Sequence, residues 1–285
     1  MWLIFALLNP ISEAIRSVIA KKLTRNIDSI YISLANNVLP LIFSFPALFF
    51  IELKFNLNFF IGLFGSGLIN IATAILYMKA IEKSDISKVM PMLSFTPLFL
   101  LVTSPVILGE TIHLLGILGI IFVVIGSYLL NLDLSKNSVF EPFKGLLREK
   151  GTRYMLIVSF LWSFSANFDK LSIQNSSILQ HIIFVNIIIV LGVWLIIYFW
   201  KGIDFGEIKR EIKGLSLISF FTTLAFIFHM TALSLTYVAY VVSFKRMSGL
   251  IAVFLGYFLL GEGKIKERFL GSFVMFIGVL LIALS

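Results

Sequence analysis

The run TYVAYVVSFKRMSGLIAVFLGYFLLGE, from Thr236 to Glu262, is apolar almost throughout and is broken by one adjacent pair of cations, Lys245 and Arg246. A helix needs about 20 predominantly apolar residues to cross a bilayer, and this run supplies them. The two charges fall near its middle. A cation at bilayer depth costs roughly 2.5–3.5 kcal/mol on insertion scales, which makes such a residue a functional-site candidate by default. The plainer alternative is that both side chains snorkel to one interface, or pair with acids on neighbouring helices for packing alone. Two adjacent cations so far from either end are hard to snorkel together, which favours the functional reading.

The rest of the chain has the same character. Of 285 residues, 59% are hydrophobic and 13% charged, against about 45–50% apolar and about 25% charged in soluble domains. An all-α integral membrane protein is expected. The chain has no Cys, which excludes disulfides, thiol catalysis and cysteine metal sites. A net charge of +8 would suggest a nucleic-acid partner in a soluble protein; here the cations belong to membrane-flanking loops. The opening MWLIFALLNP lacks the basic start and small-residue cleavage site of a signal peptide and reads as a retained first helix.

Apolar windows of spanning length recur at residues 2–20, 30–51, 59–78, 87–108 and 112–130. After a polar interval they recur at 154–171, 178–200, 214–234, 238–260 and 269–284. The expected organisation is a first five-helix repeat at 1–131, a cytoplasmic connecting loop at 132–153 and a second five-helix repeat at 154–285. Within the loop, residues 143–150 read as a short amphipathic helix on the membrane surface.

The repeat rests on residues. Shifted by 152, residues 77–110 align without gaps on 229–262, matching Met78/Met230, Ala80/Ala232, Val89/Val241, Leu98/Leu250 and Leu108-Gly109-Glu110/Leu260-Gly261-Glu262. The register continues through Gly119/Gly271 and Gly126/Gly278. Charge supplies a second argument. The odd-numbered connections carry clusters such as Lys21-Lys22-Arg25, Lys209-Arg210-Lys213 and Lys264-Lys266-Arg268, whereas the even-numbered ones hold Lys54 and Lys170 only. The positive-inside rule then places the odd connections in the cytoplasm and both termini outside. Five helices per half make the halves run in opposite senses. That is the inverted-topology arrangement of secondary transporters, whose sites lie near the midplane between repeats.

Gly109-Glu110 and Gly261-Glu262 close the fourth and ninth spans, and each Glu is followed by glycines nine and sixteen residues later. This combination, over nearly the whole chain, resembles the drug/metabolite transporter superfamily, specifically EamA-type carriers. The resemblance implies ten transmembrane helices around a central cavity lined by the first, third, fourth, sixth, eighth and ninth, with the fifth and tenth outside it. Its members move amino acids, other metabolites and drugs. They are often assigned cytoplasmic termini, opposite to the charge-bias reading. Lys245-Arg246 also looks like the Lys-Arg pair with which phosphate-carrying branches such as triose-phosphate translocators hold their anion.

Several spans carry polar stripes. Asn9, Ser12, Glu13 and Arg16 follow i, i+3, i+4, i+7 spacing on the first helix, so one face must turn to protein or a watery cavity. Glu13 and Arg16 can pair at i, i+3, as a structural pair or as part of a substrate or proton site. Ser163 and Asn167 on the sixth helix are cavity candidates, whereas Asp169 and Lys170 read as interfacial. Asn70 and Tyr77 line one side of the third helix, and His229 sits at the repeat position of Tyr77. A lone buried His is more often a satisfied structural group than a proton relay. The second helix, with Asn36, Asn37 and Pro40, suits helix–helix hydrogen bonds. Pro91, Pro97 and Pro105 predict kinks in the fourth. The glycine pairs seven apart in the fifth and tenth predict close packing. Glu110 and Glu262 read as caps or hinge anchors.

Lys245 and Arg246 align with Leu93 and Ser94, so the cation pair belongs to one half only. The charges at depth are Arg16, Lys245 and Arg246 against Glu13, a net positive interior. The resulting expectation is a secondary carrier in the cell membrane for an anionic or carboxylate-bearing metabolite, gripped by the Arg fork and the Lys point charge. The rival is a proton-coupled exporter of amino acids or cationic drugs using Glu13. A nucleotide-driven pump lacks its GxxxxGK[ST] loop, and no HExxH or GxSxG supplies an enzyme. No cofactor, metal or nucleic acid is expected. The expected partners are a small-molecule solute and the lipid bilayer, with a monomer or homodimer both open.

Overall fold

The structure is a computed structural model that describes residues 1–285 except 24–25, 28–37, 39, 85–88, 132–139, 141–143, 145–147, 201–204 and 261–264. Asn36 and Asn37, half of the expected surface helix at 143–150, and Gly261-Glu262 therefore lie outside the described residues. Among the described residues all secondary structure is helical. The helices are α1 (Trp2–Leu23), α2 (Leu57–Lys83), α3 (Thr96–Leu108), α4 (Leu114–Asn131), α5 (Lys150–Gln174) and α6 (Ile178–Trp200). They continue as α7 (Phe205–Arg210), α8 (Ile212–Leu235), α9 (Val238–Lys245), α10 (Met247–Leu260) and α11 (Ile265–Ala283), with 3₁₀ turns at Phe45–Phe49 and Met90–Phe95.

Four described segments are both long and apolar enough to cross a membrane: Trp2–Ala20, Leu57–Tyr77, Met90–Leu108 and Ile212–Leu235. Leu114–Leu130, Ile178–Gly192 and Leu270–Ala283 are apolar but shorter. Two expected spans are not single α-helices. The fourth is a 3₁₀ turn followed by α3, and the ninth is divided into α9 and α10.

The chain forms two compact units, and each draws on both halves of the sequence. The first contains Met1–Ile71 and Phe168–Ser234. Its core centres on Phe59, Leu63 and Val185, with Phe184, Ile188, Ile189 and Phe226 against them. Asn56 caps α2, its side-chain oxygen accepting the Phe59 N–H at 2.8 Å, the standard way to satisfy an orphan donor of the first turn. Gly62 permits α2 to lie against α5: a Cβ there would sit 2.6 Å from the Phe168 carbonyl oxygen and the Ser172 nitrogen. On α1, Asn9 donates from Nδ2 to the Ala225 carbonyl of α8 at 2.8 Å, and Phe5 meets Phe228 one turn away on each helix.

The second unit contains Ala72–Asn167 and Leu235–Ser285. Ala80, Val89, Met92, Tyr128, Met155 and Val158 form its core. The glycine pairs do what their spacing predicts. A Cβ on Gly119 would lie 2.8 Å from the Gly278 carbonyl, and one on Gly126 would lie 2.6 Å from the Gly271 carbonyl. The backbones of α4 and α11 therefore touch along this seam, which only hydrogen at those positions allows.

The fourth span shows why it breaks where it does. Pro97 has no N–H to give the Leu93 carbonyl, its i−4 partner in a regular helix. That carbonyl is satisfied instead by the Thr96 N–H and by the Thr96 hydroxyl at 2.9 Å. The tightened turn this produces is the 3₁₀ segment at Met90–Phe95. In lipid such repairs are obligatory, since no water reaches the freed groups. At its far end α3 stops at Gly109, whose φ of 68° is left-handed and whose N–H returns to the Pro105 carbonyl. Glu110 then accepts the Val238 N–H at 3.0 Å. Tyr237, the residue before α9, makes no side-chain cap, so the Glu110 carboxylate supplies one, with the favourable charge for a helix N-terminus.

Gly126→Leu should destabilise the purified carrier by about 1–3 kcal/mol, the usual cost of overpacking, read as a lower melting temperature in detergent. Gly249→Ala is the control: its Cβ would meet only the Leu130 side chain, at an ordinary 3.6 Å, and melting should be unchanged.

Candidate functional site

The structure distributes the expected site residues over both units, and each set is described within its own unit. In the second unit, Lys245 is the last residue of α9 and Arg246 occupies the turn before α10. Both are half-buried. The turn is tight: the Arg246 N–H donates to the Ser243 carbonyl at 3.1 Å, and the Gly249 N–H to the Arg246 carbonyl at 3.3 Å. Neither Pro nor Gly causes this break; the three-residue bonds around Arg246 do. Lys245 gains from the partial negative charge at the end of α9, and Arg246 stands before the positive start of α10. The break at 243–246 falls close to the repeat position of the tightened turn at 93–96, so the two matched spans are interrupted at nearly the same level of the sequence repeat.

The remaining residues expected in this unit lie on α2 and α5. Tyr77 stacks on Trp162 with centroids 6.2 Å apart, and Trp162 donates from Nε1 to Thr73 Oγ1 at 3.0 Å. Ser163 and Asn167 are fully buried. Asn167 donates to Thr103 Oγ1 at 3.0 Å and to the Ser163 carbonyl at 2.8 Å, while its own carbonyl oxygen has no partner among the described residues. Ser163 bonds back to the Phe160 carbonyl at 2.7 Å.

In the first unit, Arg16 donates to Glu13 Oε1 at 2.6 Å, each side chain 22% exposed. The pair is made as the spacing predicts. Asn9 is buried, with its Oδ1 unpartnered among the described residues. His229 is buried on α8, one turn beyond the Ala225 carbonyl that receives Asn9. Asn70 donates to the carbonyl and the hydroxyl of Ser66 one turn earlier on α2.

Asn70 leads to a cluster that the sequence reading does not assemble. The Ser66 hydroxyl donates to Asp169 Oδ1, and the same oxygen meets His181 Nε2 at 3.1 Å. Asp169 and Lys170 are 8% and 7% exposed and His181 is fully buried. Asp169 and Lys170, read as interfacial, are therefore enclosed by protein. Their position near the end of α5 suggests the water layer, but α2 and the start of α6 cover Asp169. The available signal was His181 itself, a polar ring beside Gln180 near the start of a largely apolar helix.

Among the described residues no group of three or more His, Asp or Glu could hold a metal.

Comparison with known proteins follows the same line. No curated protein matches the chain. A solved crystal structure, described only as that of a protein, superposes with a TM-score of 0.78 at 10% identity, covering 99% of this chain and 97% of that one. At that identity the likeness shows the fold alone. The model of the EamA-like transporter family matches residues 1–132 and again 150–284, so one family unit accounts for each half of the sequence. By that double match across an all-helical, apolar chain, this protein belongs to the EamA-like transporter family, within the drug/metabolite transporters of the membrane.

Proposed function

We propose that this chain is a secondary carrier that moves a small anionic or carboxylate-bearing organic metabolite by alternating access, with Lys245 and Arg246 as its anion-binding residues. The observation that carries this reading is the helix break at that pair. A helix interrupted beside two adjacent cations offers an anion the cations and the positive start of α10 together. Arg grips a carboxylate or phosphate with two parallel donors, and Lys adds a point charge. The other half has Leu93 and Ser94 at the matched positions, so the charge is one-sided, as an asymmetric ligand requires.

Arg16 is already engaged by Glu13, which leaves Glu13 poorly suited to the rival role of a lone proton-exchanged carboxylate for cationic drugs. Tyr77, Ser163 and Asn167, which lie in the same compact unit as the cation pair, are proposed as polar contacts for the organic part of the solute. The orientation proposed from loop charge puts both termini outside the cell membrane.

A thermal-shift screen of the purified carrier against sugar phosphates, organic acids and amino acids tests the cargo. The parent should be stabilised by an anionic solute. Lys245→Ala and Arg246→Ala should each weaken that binding about 10–100-fold, the worth of a charge-assisted bond of about 1.5–3 kcal/mol. A hit that stabilises both variants as well as the parent overturns the assignment. Stabilisation by cationic drugs that Glu13→Gln abolishes would favour the exporter.

Orientation has its own test, made clean by the absence of native Cys. Lys54→Cys should react with a membrane-impermeant maleimide in intact cells. Lys209→Cys, exposed on α7, should react only after permeabilisation. The reverse pattern would put both termini inside.

A further inference from the structure

We propose that residues 49–57, the connection that leads into α2, form a pinned in-plane anchor whose partner is the bilayer surface, with Phe49, Phe50, Leu53, Phe55 and Leu57 immersed at the boundary between headgroups and acyl chains. The sequence FFIELKFNL alternates from Ile51 onward. Ile51, Leu53, Phe55 and Leu57 are apolar, and Glu52, Lys54 and Asn56 are polar. In an extended backbone successive side chains point to opposite faces, so this pattern sorts the two kinds onto two sides. No helix is formed between Phe50 and Asn56.

Hydrogen bonds set the conformation of this segment. The Lys54 N–H donates to Gln180 Oε1 at 2.9 Å, and Gln180 Nε2 donates to the Lys54 carbonyl at 2.7 Å. One side-chain amide thus takes both backbone groups of one residue, the pairing that a neighbouring strand makes with an extended residue. Gln180 is fully buried, and a buried amide needs such partners. Two residues on, Asn56 donates from Nδ2 to the Asn175 carbonyl at 3.0 Å while its Oδ1 caps α2. The Glu52 and Lys54 side chains stand 3.9 Å apart and exposed, on one face as the alternation requires. Phe55 belongs to the other face. It meets Phe59 and Phe184 edge-on and stacks on Phe60 with centroids 5.9 Å apart, so the apolar face turns toward the first turns of α2 and α6.

What covers the apolar face follows from its continuation. Phe60 stacks in turn on Phe64, and Phe60, Phe64 and Leu68 are exposed at four-residue steps along one side of α2. Residues Leu57–Tyr77 of that helix are long and apolar enough to cross the membrane, and an exposed apolar side of such a span is the side lipid covers. The aromatic run Phe55, Phe60, Phe64 therefore leads from the lipid-facing side of α2 onto the connection. Beyond it Phe49 and Phe50 are 80% and 88% exposed, and Leu57 is 74% exposed. Apolar exposure on this scale is unfavourable in water, and the Gln180 pin holds the segment in place. A segment with one apolar and one charged face lies in the interface, not across it. Glu52 and Lys54 cancel in charge, so immersion of the apolar face, not attraction to anionic lipid, supplies the binding. Because the pin joins the starts of α2 and α6, the anchor sets both helix ends at one depth in the membrane.

The chain has no native Cys, so each single-cysteine variant carries one nitroxide label. The full-length carrier in phosphatidylcholine nanodiscs is labelled at Phe50→Cys, Leu53→Cys and Leu57→Cys, and at Glu52→Cys and Lys54→Cys, all of them exposed positions. Power-saturation EPR reads depth from oxygen, which concentrates in the bilayer, against a water-soluble nickel chelate. Labels at 50, 53 and 57 should favour oxygen, with those at 50 and 53 roughly 5–10 Å below the phosphates. Labels at 52 and 54 should favour the chelate. Adding phosphatidylglycerol should leave this order unchanged, and five positions free the result from the folding of any one variant. The proposal is overturned if labels at 50 and 53 meet the chelate as readily as those at 52 and 54, which would put the whole connection in water. It is overturned if those labels are shielded from both reagents and show dipolar broadening, the sign of a contact between two copies. Entry into lipid only when anionic lipid is present would overturn it too. None of these readings involves Lys245 or Arg246, so the anchor stands or falls separately from the proposed cargo.

Discussion

In a bilayer the backbone must satisfy itself, and that single constraint accounts for the architecture of this chain. Wherever a helix stops or breaks, a specific group repairs the loss. Thr96 takes over the Leu93 carbonyl that Pro97 cannot serve. Glu110 closes an open N–H of α9 from a different element. Asn56 does the same for α2. At Arg246 the backbone tightens onto Ser243. These repairs fix where irregular backbone is permitted, and the cation pair occupies one such place.

The same constraint separates scaffold from site. The α4–α11 seam is made of glycines whose backbones touch, with no charge and no spare polar atom among them. Polar side chains concentrate on α1, α2, α5 and α8, where Asn9, Ser66, Asn70 and Asn167 bond to backbone or to one another. Some of that polarity is consumed by structure: Ser163, Ser219 and Thr222 all return to carbonyls of their own helix. The atoms left over include Asn9 Oδ1 and Asn167 Oδ1, which have no partner among the described residues.

Much of this was legible in the sequence because it follows from periodicity and symmetry. The membrane class, the two halves, the glycine seam and the Glu13–Arg16 pair all come from local spacing. Glu110 could be read as a cap because it follows a helix-ending glycine, although the helix it caps lies in the other half of the sequence. The break at Arg246 was not legible, because no Pro or Gly marks it and a run of apolar residues continues on both sides. The Asp169–His181 pair was not legible either. A charge near a helix end usually reaches water, and only the covering of α5 by other helices makes this one buried. The first part of the expected second span, with Asn36 and Asn37, lies outside the described residues, so those two amides contribute nothing to the account.

The central claim is that an anion meets Lys245 and Arg246 where the ninth span is interrupted. The measurement that tests it most directly is a density map of the carrier bound to the solute that stabilises it best. The account predicts the anionic group of that solute within about 4 Å of Lys245 Nζ and of the Arg246 guanidinium, the range of a direct ion pair. Density for the solute elsewhere, with Lys245 and Arg246 locked onto acidic side chains of the protein, would contradict it.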